Sequence, residues 1–392
     1  MDLLIISEKT PDRNYVILAD NKINKVITGI NNLVRRIHVV CDENYCYNSS
    51  LKKILFHPVK NFKKISEKNT LLRLLYHLIY VMRVFLKSLK LIKKNPEIKF
   101  IINISGHFTI GLINVLAGLV TGRRSLLRLT ESVQAAYFLD NSESLKAKLL
   151  NKLSYALAVI LEKIVFRLCD KIISVVPPEY YPNIRGFEPK TVFIPDTILT
   201  NTDKRVRVKH SEKKIFFVGR LELEKNPFMF LKSILKVAEI RSDFKTLIIG
   251  SGKLEEAIRD FIKRNGLEDI VELIKPMPHN KFINLLNECY LLVNSSYIEL
   301  MPNTILEALA CGVPVIAPAI GGIPYLLNHG YNGFLLKNRD QETLAKLINK
   351  ILDDEQLREK MSFNCKKFFE EIVDLHFGMK AVYDKYAILI KN

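Results

Sequence analysis

The chain has 392 residues, more than one hydrophobic core usually serves, so its length predicts two domains of ordinary size. Its 48% hydrophobic and 26% charged residues exclude a disordered chain, because disordered chains are too poor in apolar residues to offset their ordering entropy. The net charge is +18, and residues 1–200 hold 30 Lys and Arg against 16 Asp and Glu, which favours an anionic partner such as lipid, nucleic acid or a phosphorylated acceptor.

Neither a disulfide framework nor a zinc site is predicted from the six cysteines. No two of them form a CxxC pair, and Cys41 and Cys46 have no His cluster beside them to complete a zinc site. Reduced structural thiols in a cytosolic protein are the better interpretation. The first residues lack the basic segment of a signal peptide and meet Pro11 and Asp12 early, so they predict a buried strand.

The first half alternates short apolar runs of strand length with longer helical stretches. Strands are predicted at Leu3–Ser7, Ile37–Cys41, Phe100–Ile104, Leu126–Leu129, Lys171–Val176 and Thr191–Ile194. Long helices are predicted at Thr70–Lys94 and Ser144–Arg167. Alternation of this kind indicates a parallel sheet covered by helices on both faces.

Two stretches of this half could involve a membrane. The uncharged residues 101–122 are long enough to span a bilayer, but Asn103, Asn114 and a break at Gly106 favour a buried strand, a turn and a buried helix. The stretch Thr70–Lys94 combines large apolar residues with six Lys and Arg and no acidic residue. Such a helix can lie in the head-group plane of an anionic membrane, or it can be a core helix with a solvated basic face.

A polar, basic segment without apolar periodicity, Thr200–His210, is predicted to link the two domains. After it the alternation restarts, which indicates a second doubly wound sheet. Strands are predicted at Lys214–Val218, Thr246–Ile249, Val271–Ile274, Leu291–Asn294 and Val315–Ala317. Helices are predicted at Pro227–Glu239, Lys253–Asn265, His279–Cys289 and Asn303–Cys311.

The strongest chemical pattern lies just beyond the predicted strand Leu291–Asn294. Pro302 suits the first position of a helix, Asn303 suits its cap, and Gly312 suits its end. A helix that begins at the carboxyl end of a parallel strand presents unpaired N–H groups and a positive dipole. A donor diphosphate would bind at such a position.

Two glutamates flank this helix start. Glu307 lies one turn beyond Asn303 on the same face, where its carboxylate can accept hydrogen bonds from both hydroxyls of a ribose. Glu299 lies on the preceding loop, from which it can reach a transferred sugar. The alternative, which these residues alone do not exclude, is that Glu307 interacts with the helix dipole and Glu299 is solvated.

The same segment resembles the E-x(7)-E signature of glycosyltransferase family four, S-x-x-E-G-x-P-x-x-x-x-E-A-x-A-x-G-x-P-V-I-A. The chain matches it at Ser296, Glu299, Pro302, Glu307, Ala308, Ala310, Gly312, Pro314, Val315, Ile316 and Ala317. Phe217–Pro227 resembles the family's V-G-R-L-x-x-x-K element, and the resemblance is continuous from about residue 212 to 340. It implies an α/β chain of GT-B fold, with two Rossmann-like doubly wound domains facing a cleft.

The resemblance also implies how the domains divide. An acceptor-binding Rossmann-like domain is predicted over residues 1–205, and a nucleotide-sugar-binding Rossmann-like domain over residues 206–374. The stretch Phe377–Ile390 resembles the family's last helix, which packs on the first domain. Residues 375–392 are therefore predicted to complete the acceptor-binding domain.

Site residues follow from the two matched elements. Glu299, Arg220 and Lys225 are the implied catalytic residues, since two cations can stabilise a leaving diphosphate without a metal. The implied donor-binding residues are Gly219, Arg220, Lys225, Glu299, Leu300, Met301, Pro302, Asn303, Thr304 and Glu307. Leu300 and Met301 stand where the family has Gly after the first glutamate, which predicts a differently shaped sugar pocket.

The acceptor side is predicted from fewer residues. His107 follows the strand Phe100–Ile104, and a structural role for it is an equal alternative to an acceptor contact. Glu131 follows the strand Leu126–Leu129, where the family commonly places an active-site His that this chain lacks. Retaining transfer tolerates this change, because the leaving phosphate oxygen can itself accept the acceptor's proton.

The implied function is that of a retaining, metal-independent hexosyltransferase acting on a nucleotide-diphosphate sugar and a lipid-linked or glycan acceptor. No cofactor, metal or nucleic acid partner is expected. The basic first half predicts a cytoplasmic enzyme held peripherally on an anionic membrane surface. The alternatives are an inactive glycosyltransferase-like protein, a basic membrane- or nucleic-acid-binding protein, and a sugar-nucleotide epimerase on the same pair of domains.

Overall fold

The chain folds into two compact units. The computed structural model describes residues 2–6, 33–42, 54–59, 70–103, 108–129, 145–195, 212–372 and 376–391. The first unit contains the described residues up to 195 and those from 378 onward, and the second contains those from 212 to 377. Both predicted domain boundaries and the linker at 200–210 lie outside the described residues and stay predictions.

The first unit is built on a parallel sheet of seven strands in the order β3-β2-β1-β4-β5-β6-β7. The strands are β1 (Asp2–Ile6), β2 (Arg36–Asp42), β3 (Ile54–Val59), β4 (Ile98–Asn103), β5 (Arg124–Leu129), β6 (Lys171–Ser174) and β7 (Thr191–Phe193). Its described helices before the second unit are α1 (Thr70–Lys94), α2 (Phe108–Thr121) and α3 (Leu145–Leu168). Strand β1 is buried throughout, as expected for a central parallel strand with both faces covered.

The second unit is built on a parallel sheet of six strands in the order β10-β9-β8-β11-β12-β13. The strands are β8 (Lys213–Val218), β9 (Phe244–Ile249), β10 (Val271–Ile274), β11 (Leu291–Val293), β12 (Val315–Pro318) and β13 (Gly333–Leu336). Its helices are α4 (Pro227–Ala238), α5 (Glu255–Arg264), α6 (His279–Leu286), α7 (Asn303–Cys311), α8 (Ile323–Leu326), α9 (Gln341–Asp353) and α10 (Glu355–Ile372). The alternation of strand and helix places helices between successive parallel strands.

A last helix, α11 (Met379–Lys391), returns to the first unit. Alternate residues of β1 point to opposite faces of the sheet. On one face, Leu3 and Ile5 belong to a core cluster with α11 residues, among them Val382 and Tyr386. On the other face the cluster contains Leu4, Ile6 and residues of α1 and α2. The first sheet is therefore covered on one side by α11 and on the other by α1 and α2.

Within the uncharged residues 101–122, the predicted strand and helix are present as the end of β4 and as α2, whereas the predicted break at Gly106 lies outside the described residues. Asn103, at the end of β4, donates to the Arg128 carbonyl oxygen at 2.8 Å, and its Oδ1 accepts from the Arg128 N–H at 2.8 Å. Asn114 of α2 donates to the same Oδ1 at 3.2 Å. These buried amides thus extend the pairing of β4 and β5. Among the described helices, none is long and apolar enough to cross a membrane.

Several elements were not predicted from the sequence. Strand β3 contains His57 and Pro58, and it is an edge strand of the first sheet, where a proline is tolerated because its nitrogen need not donate to a neighbour. Strand β13 and the helices α8, α9 and α10 extend the second unit beyond the predicted elements. Helix α9 begins with a strong cap, since the Asp340 carboxylate accepts from the Thr343 N–H at 2.7 Å.

Candidate active site

The candidate site lies in the second unit where the direction of the strand order reverses. Strands β8 and β11 are neighbours, and the chain leads from β8 outward to β9 and from β11 outward to β12. Loops that leave such a pair diverge and open a crevice at the carboxyl ends of the strands. Gly219–Lys225 follows β8 and Asn294–Glu299 follows β11, so both predicted motifs meet at this crevice.

The Glu299 carboxylate is the centre of a hydrogen-bond cluster. Its Oε1 accepts from Lys225 Nζ at 2.7 Å, from Ser296 Oγ at 2.7 Å and from Asn294 Nδ2 at 3.1 Å. The exposed fraction is 9% for the Glu299 side chain and 21% for that of Lys225. A solvated Glu299, the alternative left open by the sequence, does not agree with this burial. Three donors on one oxygen, one of them charged, hold the carboxylate in place.

The turn after Lys225 ties the two loops together. Asn226 has a left-handed backbone, with φ 50° and ψ 51°. Ser295 Oγ donates to the backbone oxygens of Lys225, at 3.1 Å, and Asn226, at 2.8 Å. The loop after β11 therefore fixes the backbone that carries Lys225 and brings its ammonium group to Glu299.

Arg220 pairs with Glu224 in this structure. The Glu224 side chain is 9% exposed and that of Arg220 is 54% exposed, so a buried carboxylate holds a largely solvated guanidinium. Glu224 lies in a short 3-10 helix, Leu223–Lys225, and its backbone oxygen accepts from the Tyr297 N–H at 2.8 Å. Glu224 was not among the predicted site residues, although a carboxylate four residues after Arg220 and one before Lys225 is a detectable signal.

Helix α7 begins at Asn303, as predicted, but the roles of its first residues are reversed. Pro302 is the N-cap, because its backbone is extended (φ −73°, ψ 113°) and its oxygen accepts from the Ile305 N–H at 3.1 Å. Among the described residues, no side chain caps this helix start, so the first-turn N–H groups of Asn303 and Thr304 can meet an anion. Gly312 ends the helix with φ 73°, as predicted.

Glu307 lies one turn into α7 and contacts the start of α6. Its Oε1 lies 2.9 Å from His279 Nε2, and the exposed fractions of the two side chains are 13% and 31%. The sequence offered no signal for this pair, because the residues are 28 positions apart and meet only in the fold. The contact fixes the direction of the Glu307 carboxylate, so the residue does more than interact with the helix dipole.

A glycine pair after β12 packs on the backbone of the Glu299 loop. The Gly322 N–H donates to the Leu300 oxygen at 2.6 Å. Gly321 has φ +50°, and a Cβ at this position would lie 1.9 Å from the Glu299 oxygen. Only glycine allows this approach, so the pair positions the backbone of Glu299 and Leu300. The side chains of Leu300 and Met301 are half-buried.

The structure brings some of the predicted residues together and leaves others apart. Lys225 and Glu299 are in direct contact, whereas Arg220 and Glu307 each have a different partner. Gly219 continues the ladder of β8, since its N–H donates to the Ile249 oxygen at 3.0 Å. The predicted acceptor residues, His107 and Glu131, lie outside the described residues. Within the described ranges, no group of three His, Cys, Asp or Glu side chains is arranged to hold a metal ion.

The second unit matches a known enzyme family. Residues 200–368 match the model of the family described as Glycosyl transferases group 1. An uncharacterized glycosyltransferase of Methanocaldococcus jannaschii is 29% identical over 176 residues, which cover 44% of this chain and 48% of that protein. A D-inositol 3-phosphate glycosyltransferase of Streptomyces griseus is 27% identical over 154 residues, 37% of this chain and 33% of that protein. The chain thus spans about half the length of the curated relatives it matches, or less.

Solved structures match over the whole chain. HepE of Anabaena, solved in complex with UDP, has a TM-score of 0.68 at 17% identity, with 100% of both chains covered. Sucrose-phosphate synthase of Thermosynechococcus elongatus has a TM-score of 0.74 at 15% identity, covering 100% of this chain and 98% of that one. The fold is therefore α/β and GT-B, with two Rossmann-like domains. These matches and the family match support a GT-B glycosyltransferase.

Proposed function

We propose that this protein is a retaining glycosyltransferase that moves a hexosyl group from a nucleotide-diphosphate sugar to a glycan or lipid-linked acceptor. The observation that carries the proposal is the contact of Lys225 with Glu299 at the reversal point of the second sheet, beside the uncapped start of α7. A cation and a helix N-terminus favour a diphosphate, and a held carboxylate favours sugar hydroxyls.

Each side chain has a role in donor binding. Lys225 and Arg220 contact the diphosphate, which offers each cation a second negative partner. Glu299 keeps its bonds from Asn294 and Ser296 when Lys225 turns to the phosphate, so its carboxylate stays in place for a hydroxyl of the sugar. Glu307, held by His279 of α6, accepts hydrogen bonds from the ribose hydroxyls.

The transfer step needs no protein nucleophile. The bond between C1 of the sugar and the diphosphate oxygen breaks, and the acceptor hydroxyl oxygen bonds to C1 on the same face. The acceptor's proton passes to the leaving phosphate oxygen, so the configuration at C1 is retained. Arg220 and Lys225 stabilise the negative charge that develops on the leaving group, which is the role of a divalent ion in metal-dependent transfer.

The remaining assignments concern the acceptor. We assign acceptor binding to the first unit and cytoplasmic location on a membrane surface to the whole protein, with no nucleic acid partner. The support is the basic composition of the first half, which attracts anionic head groups and phosphorylated lipid carriers.

A thermal-shift panel of UDP-, GDP- and ADP-sugars tests the donor assignment. One nucleotide-sugar is expected to raise the melting temperature and to release nucleoside diphosphate slowly. Glu307→Ala is expected to weaken its binding by roughly 1.5–3 kcal/mol, because the ribose hydroxyls lose a charged acceptor. Glu256→Ala, at an exposed position of α5, is the matched control. Binding by no nucleotide-sugar, or equal donor affinity in both variants, rejects the assignment.

Chelation tests the transfer step separately. Activity is expected to survive EDTA, because Arg220 and Lys225 stabilise the leaving diphosphate. Loss of activity on chelation, restored by manganese, would contradict this part of the proposal. Donor binding without either transfer or hydrolysis would instead favour an inactive glycosyltransferase-like protein, in which Leu300 and Met301 block the sugar pocket.

A further inference from the structure

Exposed large apolar side chains concentrate on three helices of the first unit. Among the described residues, sixteen such side chains are exposed, and eleven of them lie on α1, α2 or α3. The second unit exposes three, which are Ile240, Tyr297 and Phe363. A contiguous exposed apolar surface on a folded protein marks an interaction site, whereas scattered single residues need no explanation.

Helix α1 is apolar on two opposite faces. Its core-facing side chains include Tyr80, Val84 and Leu91. On the other side, Leu78, Met82 and Leu86 follow one another at a spacing of four residues, and their exposed fractions are 55%, 57% and 56%. Lys90 and Lys94 continue the same spacing and are also exposed. The outward stripe is therefore apolar for two turns and then basic.

Helices α2 and α3 extend this outward face, because α1 packs beside α2 and α2 packs beside α3. Helix α2 has no charged residue, and its Leu119 and Val120 are 56% and 67% exposed. On α3, Leu157, Ile160 and Ile164 follow a spacing of three and four residues and are 56%, 56% and 46% exposed. Exposed apolar side chains thus lie on three helices that pack side by side.

The same helices carry a strong positive charge. Their sequences contain eleven Lys and Arg and one acidic residue, Glu162. Glu162 is buried and accepts from the Tyr181 hydroxyl at 2.8 Å and from Asn183 Nδ2 at 2.6 Å, so it is directed inward. On α3, Lys163 and Arg167 are exposed beside the apolar stripe. The outward face therefore presents apolar side chains bordered by cations.

We propose that the outward faces of α1, α2 and α3 form a docking surface for an anionic lipid bilayer. Apolar side chains bordered by Lys and Arg match the acyl boundary and the anionic head groups of a membrane interface. A second copy of the chain is a poorer occupant, since a two-fold dimer would set the exposed Lys90, Lys94, Lys163 and Arg167 near the same four residues of the other copy. The docking surface itself does not depend on the proposed function. Only the location of the acceptor at the membrane rests on that function.

Introduced tryptophans can test the surface helix by helix, because the chain has none. Met82→Trp, Leu119→Trp and Ile160→Trp put one probe on each helix, and Ile240→Trp puts a matched probe on the second unit. Each protein is mixed with vesicles of phosphatidylcholine and phosphatidylglycerol whose acyl chains carry bromine. Bromine quenches indole fluorescence at short range, so quenching reports insertion of that helix.

All three probes of the first unit are expected to be quenched, and Ile240→Trp is not. Quenching of Met82→Trp alone would overturn the three-helix surface in favour of a single helix. Absence of quenching at all three positions would overturn the proposal, and a dimer mass in light scattering would then assign the face to a second copy. Equal quenching in pure phosphatidylcholine would overturn the requirement for anionic lipid.

Charge variants test the basic border. A basic residue near an anionic surface strengthens partition roughly fivefold at low salt, so Lys90→Gln with Lys94→Gln is expected to bind anionic vesicles about 25-fold more weakly. Lys263→Gln with Lys281→Gln, both exposed on the second unit, is the control and is expected to bind as the unmodified protein does. Unchanged partition of the first pair would contradict the proposal.

Donor binding by the same variants separates this inference from the proposed function. Loss of vesicle binding with an unchanged thermal shift by the nucleotide-sugar supports both proposals. Failure of the unmodified protein to bind vesicles, with donor binding intact, rejects the docking surface alone. Vesicle binding without any donor binding rejects the proposed function and leaves the docking surface standing.

Discussion

The site of the second unit and the three helices α1, α2 and α3 of the first unit differ in the arrangement of their charged residues. In the second unit, cations lie against carboxylates, as in the contacts of Lys225 with Glu299 and of Arg241 with Asp243. On α1, α2 and α3 of the first unit, eleven basic residues accompany one buried carboxylate. An ion pair fixes side chains in a site, whereas an excess of positive charge on a surface attracts an anionic partner from outside the protein. A single basic chain can therefore contain both a site of paired charges and a surface suited to docking on an anionic partner.

The largest expected effect separates these two uses of a lysine. Lys225→Met is expected to lower the rate of donor turnover by about 10²–10³-fold, because the leaving diphosphate loses a preorganised cation. Lys90→Met, on the outward stripe of α1, is expected to leave turnover of a soluble donor unchanged. Release of nucleoside diphosphate measures both. Equal rates in the two variants would remove the functional difference between the units.

The next effect concerns the backbone under Glu299. Gly321→Ala is expected to destabilise the second unit by about 1–3 kcal/mol more than Gly266→Ala, because the added methyl group overpacks against the Glu299 oxygen. Gly266 has a similar left-handed φ of +61°, but a Cβ there meets nothing within 4 Å, so it measures the backbone strain alone. Urea unfolding compares the two variants. Similar losses would show that the contact with the Glu299 loop adds nothing.

A smaller effect is expected at the buried partner of Arg220. Glu224→Gln keeps the shape of the side chain and removes its charge, so Arg220 loses its fixed position. About tenfold weaker donor binding is expected, in line with a charge-assisted hydrogen bond that is partly solvated. Glu256→Gln is the control. The donor affinity of Glu224→Gln, measured by titration, must fall below that of the control, or Glu224 does not position Arg220.

The smallest effect is a pH dependence that sharpens the comparison of the units. In the first unit, burial, the nearby His38 and Lys87 lower the pKa of His57 to about 4. Its unfolded pKa is near 6.5, so the unfolded state binds more protons between these values. The contribution of His57 to the free energy of unfolding is fully present above about pH 6.5. It is lost as the pH falls toward 4, which lowers the free energy of unfolding by about 1 kcal/mol after allowance for solvent screening.

His57→Gln should flatten this dependence. The free energy of unfolding of the first unit, followed by denaturant titration at neutral and mildly acidic pH, measures it. In the second unit, hydrogen bonds from Arg241 and Lys213 lower the pKa of Asp243, so its contribution persists to more acidic pH than that of His57. Parallel acid loss in both units, or an unchanged slope in the variant, would contradict the expectation.

Most of the second unit could be predicted because its signals are local. The strand Val271–Ile274 and the helix Asn303–Cys311 have the predicted bounds. Lys225 and Glu299 were predicted as site residues because their motifs can be recognised from the spacing of residues along the chain alone. Pro302 was misassigned because cap position depends on backbone conformation, and both Pro302 and Asn303 suit a helix start.

The contacts that were missed join distant parts of the chain. Glu307 contacts His279 only because α6 and α7 pack against each other. No local sequence pattern predicts this packing. The outward stripe of α3 was also missed, since the apolar composition of a helix does not tell which face its neighbours cover. Packing decided this, and it left Ile160 and Ile164 exposed. Whatever residues 130–144 add to the acceptor side lies outside the described residues.

Because α11 returns to the first unit, the second unit is synthesised completely before the first unit has all of its elements. The chain passes through the whole second unit before it reaches Val382 and Tyr386, which cover Leu3 and Ile5 on one face of the first sheet. During synthesis this face stays uncovered while the second unit already has all of its strands. We therefore expect nascent chains to need protection of the N-terminal sheet until α11 emerges, because uncovered apolar strands aggregate.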